Sequence, residues 1–382
     1  MLDQNMRDLK RWLIDEALPV WETHGIDREL GGFHEKLDRT YCAVPATRRA
    51  RLVARQIYCF SIGQDLGWSG PARAVVNHGL SFLKERLLGS DGTVFVASSA
   101  VGDRVEHRQD PYDYAFVLLA LASAARVVDD RNSVLLLSCK VCDKLIKELG
   151  LGNGGFAETS NKQGPLLGNP QMHLLEAFLA LAETDTANSG RWFELAGSIV
   201  QLALDHLILP DSGAIPEAFD LQGRPGETLL IEPGHQFEWA WLLARWSILQ
   251  KDAPALSAAI RLADVGETFG LDETRTFAIN ALDGNLHPKD RGMRLWPQAE
   301  RAKAWHTLAT IDGSSQTCAH ERKDLALVGL NAFVLDGFRG LWNEQRLPDG
   351  CFIDEPIKAS SLYHLVGAIH TLTCQNPEVA VF

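Results

Sequence analysis

Three histidines stand where proton-transfer chemistry is plausible. His173, His235 and His364 each fall within the first turn or so of an apolar helical pattern: NPQMHLLEAFLAL after Asn169-Pro170, PGHQFEWAWLL after Pro233, and SSLYHLVGAI after Ser360-Ser361. At a helix start the unpaired N–H groups and the helix dipole disfavour an imidazolium, so neutral, base-competent rings are expected near pH 7. One such histidine is more often a satisfied core residue than a catalyst, but three in equivalent positions point to acid/base work. Glu238 follows His235 by one helical step (i, i+3), where it either orients that ring or takes a hydroxyl; the plainer reading is a capping carboxylate. Glu300 follows Trp296 by one turn, so the pair offers a sugar a hydroxyl acceptor and an aromatic face; the plainer reading is an exposed charge beside a core tryptophan. Arg55, within LVARQIYCF, would be costly to bury without an anionic or polyhydroxyl partner, whereas Arg48, Arg49 and Arg51 read as a solvated helix start.

These residues are far apart in sequence, so the elements that carry them must bring them together. Six Gly-centred turn segments recur: RELGGFHEKLD, LLGSDGTVFVASS, LGNGGFAETS, PDSGAIPEAFD, LDGNLHPKD and LPDGCFIDEP. Aligned on Gly32, Gly92, Gly155, Gly213, Gly284 and Gly350, they divide the chain into six units. Each unit reads as a turn flanked by short alternating stretches, followed by two long helical patterns. In the third unit Asn169 is placed to cap and Pro170 to open the first helix. Twelve such helices cannot each bury an apolar face alone, but an inner and an outer ring of six bury both faces together. The expected fold is therefore all-α, a closed (α/α)6 barrel, or toroid, of a single catalytic domain over residues 1–382, with short β-hairpin turns at one end. An open solenoid is the rival, although its usual polar end units are not seen. Counted from the turn glycines, each inner helix brings one polar or aromatic anchor: Arg55, Tyr112 with Asp113 beside it, His173, His235, Trp296 and His364.

Composition narrows the function further. With 37 Lys+Arg against 49 Asp+Glu, a net charge of −12 and no basic run, the chain lacks the electrostatic footprint of a nucleic-acid or anionic-membrane partner. No window approaches the uncharged apolar length of a membrane span, and charges at Asp3, Arg7, Asp8 and Lys10 interrupt any signal-like core, so a cytoplasmic protein is expected. Seven scattered cysteines fit reduced thiols, and Cys139 with Cys142 reads as part of an amphipathic helix rather than a zinc or redox pair. There is no GxxxxGK[ST] loop, HExxH or GxSxG, and His235 with Glu238 is a thin metal signature. A cofactor-free, metal-free acid/base enzyme is the remaining reading. Its oligomeric state is left as monomer or homodimer.

The chain resembles the N-acylglucosamine 2-epimerase family, which includes N-acylglucosamine 2-epimerases, cellobiose 2-epimerases and mannose isomerases. The resemblance rests on GIDRELGGFHEKLD, ARQIYCFS, PYDYAFVLLALA, NPQMHLLEAFLAL, PGHQFEWAWLL, RLWPQAERAKAW and SSLYHLVGAI, over nearly the whole length. It implies an (α/α)6 barrel that interconverts aldoses with their carbon-2 epimers or ketoses through an enediol(ate), without a metal. Carried over, the acid/base histidines fall on His235 and His364, the arginine on Arg55, and the carboxylate on Glu238. Substrate-holding positions fall on Tyr112, Asn169, His173, Trp296 and Glu300. His173 in NPQMHLLEA resembles the isomerase and cellobiose-epimerase pattern, which tilts the expectation toward an aldose–ketose isomerase of D-mannose, with D-lyxose a further substrate. In that scheme His235 with Glu238 opens the ring, His364 moves the carbon-2 proton, and Arg55 stabilises the enediolate. A 2-epimerase, an (α/α)6 glycoside hydrolase using two of Asp113, Glu217, Glu238 and Glu300, and a non-catalytic sugar-binding protein are the alternatives. A phosphorylated or sulfonated sugar would need an added cation; Arg291, Arg294 and Lys303 are candidates, with surface placement expected.

Overall fold

In the computed structural model, residues 4–99, 104–106, 109–226, 229–311, 316–334 and 338–374 are described. The helices are α1 (Gln4–Trp12), α2 (Leu18–His24), α3 (Ala50–Asp65), α4 (Ala72–Phe82), α5 (Pro111–Ala124), α6 (Arg131–Leu149), α7 (Gly168–Thr184), α8 (Ser189–Leu202), α9 (Pro233–Gln250), α10 (Ala253–Phe269), α11 (Leu295–Thr310), α12 (Gln316–Val334) and α13 (Ser361–Thr373). α1 and α2 run on through one wider turn at Leu13–Ala17, and similar wide turns extend α4 over Leu83–Leu87 and α8 over Ala203–Leu207.

The helices form two concentric rings. α3, α5, α7, α9, α11 and α13 each pack on the next, and α13 returns to α3 and closes the circle. α4, α6, α8, α10 and α12 lie outside their preceding inner helix, while α1 lies against α13. This explains the sequence patterns. Inner helices are covered on every side, so α5 is buried without a break from Asp113 to Ala124, as expected for a helix with no solvated face. Outer helices bury one stripe: in α6 it is Val134, Ser138, Val141, Cys142, Leu145 and Leu149. Cys142 thus belongs to a packed face, and burial pushes its thiol up to about 12. Among the described residues no helix is long and apolar enough to cross a membrane.

Short antiparallel strands precede the inner helices and stitch adjacent units together. They are β1 (Lys36–Leu37), β2 (Arg48–Arg49), β3 (Ala97–Ser98), β4 (Arg104–Glu106), β5 (Leu166–Leu167), β6 (Ala218–Phe219), β7 (Leu230–Ile231), β8 (Ala281–Asp283), β9 (Pro288–Asp290), β10 (Met293–Arg294), β11 (Gln345–Arg346) and β12 (Ile357–Lys358). β1 pairs with β12, so the first and last units are joined by backbone hydrogen bonds. Pairs β2–β3–β4, β5–β6, β7–β8–β9 and β10–β11 link the rest.

Two turns differ from the alignment: in the third unit the left-handed residue is Gly154, one before the aligned Gly155, and the fifth unit departs further. Gly92, Gly213 and Gly350 hold left-handed backbone in equivalent tight turns. In the fifth unit that turn is closed by Asp272 N–H to Phe277 O and Arg275 N–H to Asp272 O, with Arg275 at φ 58°. Gly284 lies instead in the outer β8–β9 hairpin. The glycine signal misled there because a non-glycine residue took the strained position, steadied by Arg275 donating to the Glu267 carbonyl (2.8 Å) and by Asp272 Oδ1 accepting from Thr276 and Phe277 N–H.

Candidate active site

Because every inner helix begins at the strand-bearing end, its first turns converge on one cavity of about 300 Å³. Arg55, Tyr112, Asn169, His173, His235, Glu238, Trp296 and His364 line it, together with Glu232, Arg294, Glu344, Lys358, Ser360 and Ser361. Two expected residues lie elsewhere. Glu300 is fully buried one layer below the cavity, and Asp113 is turned away from it, accepting from the Arg51 N–H (2.8 Å) and guanidinium (3.0 Å). Asp113 therefore fixes the start of α3, and burial, opposed by Arg51, pushes its carboxyl up to about 7.

Trp296 is in ring contact with both principal histidines. Its indole centre lies 4.9 Å from the His235 ring and 5.5 Å from the His364 ring. Gly234 makes this packing possible, since a Cβ there would stand 2.4 Å from the indole. The two histidines differ in what holds them. His235 Nδ1 lies 2.9 and 2.8 Å from the Glu217 carboxylate oxygens, with Glu232 at 3.9 Å. His364 Nδ1 lies 2.8 Å from Glu300 Oε1. An ionised carboxylate only accepts, so each Nδ1 carries hydrogen and Nε2 is left for the cavity.

Their charge states diverge. Burial by itself would lower the His235 pKa, but Glu217, Glu232 and Glu238 outweigh it and raise it to about 9. The expectation of a neutral His235 is thus overturned: three carboxylates exceed the influence of a helix N-terminus, which falls off within a turn. For His364 burial prevails over Glu300, reinforced by the positive charges of Arg55 and Lys303, and its pKa is lowered. His173 is neutral as well, lowered to about 4 mainly by burial despite Glu176. An imidazolium and a neutral imidazole therefore touch one indole. Paired groups driven apart in this way are the signature of acid and base assignments.

The carboxylates below the cavity are also differentiated. Burial and the negative charge of Glu300 raise the Glu238 pKa well above its ordinary value. Neither of its oxygens has a hydrogen-bond partner among the described residues. It stands nearer His173, whose Nδ1 lies 3.9 Å from Glu238 Oε1, than its i, i+3 spacing from His235 suggested; the carboxylate that orients His235 is Glu217. Burial would raise Glu300 too, but Lys303 and His364 lower it, so Glu300 is ionised. His173 Nδ1 contacts Glu176 Oε2 (3.0 Å), and the Tyr363 hydroxyl donates to Glu176 Oε1 (2.6 Å).

Arg55 completes the floor. Its guanidinium stacks 3.8 Å from the centre of the Phe116 ring and donates to the Tyr112 hydroxyl (2.7 Å), while Nε has no partner among the described residues. Asn169 does not cap α7, which begins at Gly168 with no side-chain cap. Its Oδ1 is buried without a hydrogen-bond partner and its residue lines the cavity. Among the described residues two groups of acids and histidines are compact enough for a cation, His173–Glu176–Glu238 and Glu238–Glu300–His364. In the second, the Lys303 ammonium already lies 2.7 Å from Glu300 Oε2, supplying the positive charge a metal would bring.

Sequence reasoning missed Glu217 as the partner of His235 and Lys303 as the partner of Glu300, and did not single out Glu232, Glu176 or Tyr363. A signal existed for the first: a glutamate follows the turn in four units, at Glu35, Glu158, Glu217 and Glu355. Glu35 plays a related part, accepting from Arg49 Nε (2.9 Å) and Arg49 N–H (3.0 Å). The arginines read as solvated are accordingly paired: Arg48 is buried against Asp27 (2.7 Å), and Arg51 holds Asp113. Of the cations considered for an anionic substrate, Arg294 lines the cavity, Lys303 is buried beneath it, and Arg291 is on the surface near Glu273 (3.6 Å).

Residues 31–368 match the family model described as N-acylglucosamine 2-epimerase. The chain is 37% identical over 375 residues to a protein named mannose-6-phosphate isomerase from Rhizobium meliloti (strain 1021), covering 96% of each. It is 27% identical over 350 residues to one named D-mannose isomerase from Pseudomonas cannabina pv. alisalensis, covering 82% of this chain and 83% of that one. A crystal structure titled D-mannose isomerase superposes with a TM-score of 0.85 at 18% identity, covering 97% of this chain and 99% of that one.

Proposed function

Starting from the chain's membership of the N-acylglucosamine 2-epimerase family, a family of sugar-isomerising enzymes, we propose that it interconverts D-mannose and D-fructose, with D-lyxose a further substrate. The observation that carries this reading is the pair His235 and His364, one protonated and one neutral, both in ring contact with Trp296 in a cavity of about 300 Å³. That volume is at the lower end of small-molecule sites, roughly 300–1,000 Å³, and suits a monosaccharide.

The reaction begins with the cyclic sugar. The His235 imidazolium gives a proton to the ring oxygen and takes back the anomeric hydroxyl proton, so the open aldehyde forms and the imidazolium is restored. His364 Nε2 then takes the carbon-2 proton. The carbon–hydrogen electron pair becomes the C1–C2 double bond, and the former carbonyl oxygen takes the negative charge. Arg55 donates to the enediolate oxygens, charge that exists only after proton removal, with Glu238 lining the same cavity. His364 returns the proton to carbon 1 while the carbon-2 hydroxyl proton passes to the carbon-1 oxygen, and the ketose results. Tyr112, Asn169 and His173 hold the remaining hydroxyls, Trp296 presents the aromatic face, and Glu300 orients His364. The residues of the whole ring act as one catalytic domain, and seven cysteines without disulfides support a reducing, cytoplasmic setting.

The rim supports an unsubstituted sugar. Arg294 donates to Glu232 (2.9 Å) and Lys358 lies 3.2 Å from Glu355, so both cations are matched before a substrate arrives. A second reading, 2-epimerisation, draws on the same charge asymmetry: His235 would return a proton to the opposite face of carbon 2. Incubation with D-mannose in deuterium oxide tests the proposal, with D-mannose 6-phosphate in parallel. Fructose bearing deuterium at carbon 1 is expected. Glucose as the sole product overturns isomerisation in favour of epimerisation, and turnover confined to the phosphate ester overturns the neutral substrate.

A further inference from the structure

Lys303 is an anomaly in the inner ring. An ammonium on a 1%-exposed side chain, on a helix packed on all sides, is costly unless its neighbours repay it. Arg301 two residues earlier serves plain pairing: it spans α11 to Glu267 on α10 (2.7 and 3.0 Å). Lys303 instead forms the base of a chain that ends at the reaction site. Its Nζ lies 2.7 Å from Glu300 Oε2, and Glu300 Oε1 lies 2.8 Å from His364 Nδ1. The ammonium also rests 3.6 Å from the centre of the Trp241 ring on α9, which confines it from the far side.

We propose that Lys303 is a positioning residue: its ammonium keeps the Glu300 carboxylate ionised and turned toward His364 Nδ1, and so presents the His364 Nε2 lone pair to the sugar. The proposal rests on the reading of His364 as the base. Without the cation, Glu300 and Glu238 would be two carboxyls facing each other in a buried site, and either could carry the proton that Glu300 must lack. The charged groups that act on Lys303 and His364 are Glu300 on the lysine's own helix, Glu238 on α9, Glu176 on α7, and Arg55 on α3. Three acids raise the lysine's proton affinity above the cost of burial, so it stays charged through the working pH range.

The test uses the full chain with Lys303→Gln, Lys303→Met and Lys303→Arg, reading kcat, KM and the pH dependence of mannose turnover. Gln and Met are expected to lower kcat by about 10- to 100-fold. They should also move the acid limb of kcat/KM upward by roughly one pH unit or more, because a positive charge beside the Glu300–His364 pair is lost. Arg should keep the wild-type limb. A soluble Gln or Met variant with unmoved limb and full kcat overturns the proposal, as does an Arg variant displaced as far as Gln. Should neither neutral variant fold, nitrogen NMR of histidine-labelled wild type, assigned with His364→Asn, decides it. The Nδ1–H tautomer with a pKa below the ordinary histidine value is expected; the other tautomer, or titration at or above that value, overturns it. Unimpaired turnover by His364→Asn would defeat the parent reading of the base, whereas an inactive His364→Asn beside an unshifted Lys303→Gln defeats the lysine proposal alone.

Discussion

Glu217→Gln probes the charge asymmetry directly, because Gln keeps the shape of the side chain and removes its charge. His235 rises from 6.5 to about 9 in the folded protein. At about 1.4 kcal/mol per pH unit the shift is worth at most about 3 kcal/mol. Both side chains are mostly buried, 11% and 20% exposed, so solvent screens the pair only weakly. A histidine whose folded pKa is raised stabilises the fold fully below about pH 6.5 and loses that contribution as pH climbs through about 9. The variant should therefore be destabilised at pH 6 and approach the wild type near pH 10, with Glu232 at 3.9 Å retaining part of the effect. Urea titrations at the two pH values measure this. In activity, the basic limb of kcat/KM for mannose should fall from about 9 by at least roughly one unit, as His235 loses its proton earlier. A limb still near 9, or an equal stability penalty at both pH values, would refute the assignment of Glu217 as the group that charges His235.

His364→Ala should abolish turnover, a loss of at least about 100-fold, while circular dichroism and sugar affinity stay close to wild type, since His364 faces the cavity; normal turnover or an unfolded chain counts against its role. His235→Ala should impair cyclic mannose more than an aldose analogue blocked from ring closure, and equal losses on both contradict ring opening by this residue. Gly234→Ala would place a methyl against the Trp296 indole, and overpacking of about 1–3 kcal/mol should shift tryptophan fluorescence and lower kcat/KM; an unchanged spectrum with full activity would show that the indole has room. Asp113→Ala should lower the melting temperature by removing the Arg51 contacts without altering KM; a changed KM with unchanged melting would return Asp113 to the sugar site.

Much of the architecture is legible because repetition is a one-dimensional property. The pattern from Pro233 to Gln250 contains no solvated face, and it became an inner helix with those bounds. The α6 stripe recurs at helical spacing, and it became an outer helix. The same repeat placed His173, His235, Trp296 and His364 at corresponding helix starts, and all four reach one cavity. Its failures are equally informative. Gly284 was aligned by composition, although the backbone put the left-handed residue at Arg275. Asp113 shares a helix start with Tyr112, but neighbouring residues on a helix point about 100° apart, so one faces the sugar site and the other Arg51.

Which residues could do acid/base chemistry, and that six similar units would carry them, follows from local spacing, because a helix start and its periodicity are properties of a few consecutive positions. Which of those residues is charged follows only from the fold. His235 meets Glu217 across 18 positions, and His364 meets Glu300 across 64, with Lys303 behind it. The energy of a buried charge depends on neighbours within a few ångströms, and those neighbours are assigned by closure of the ring rather than by order along the chain.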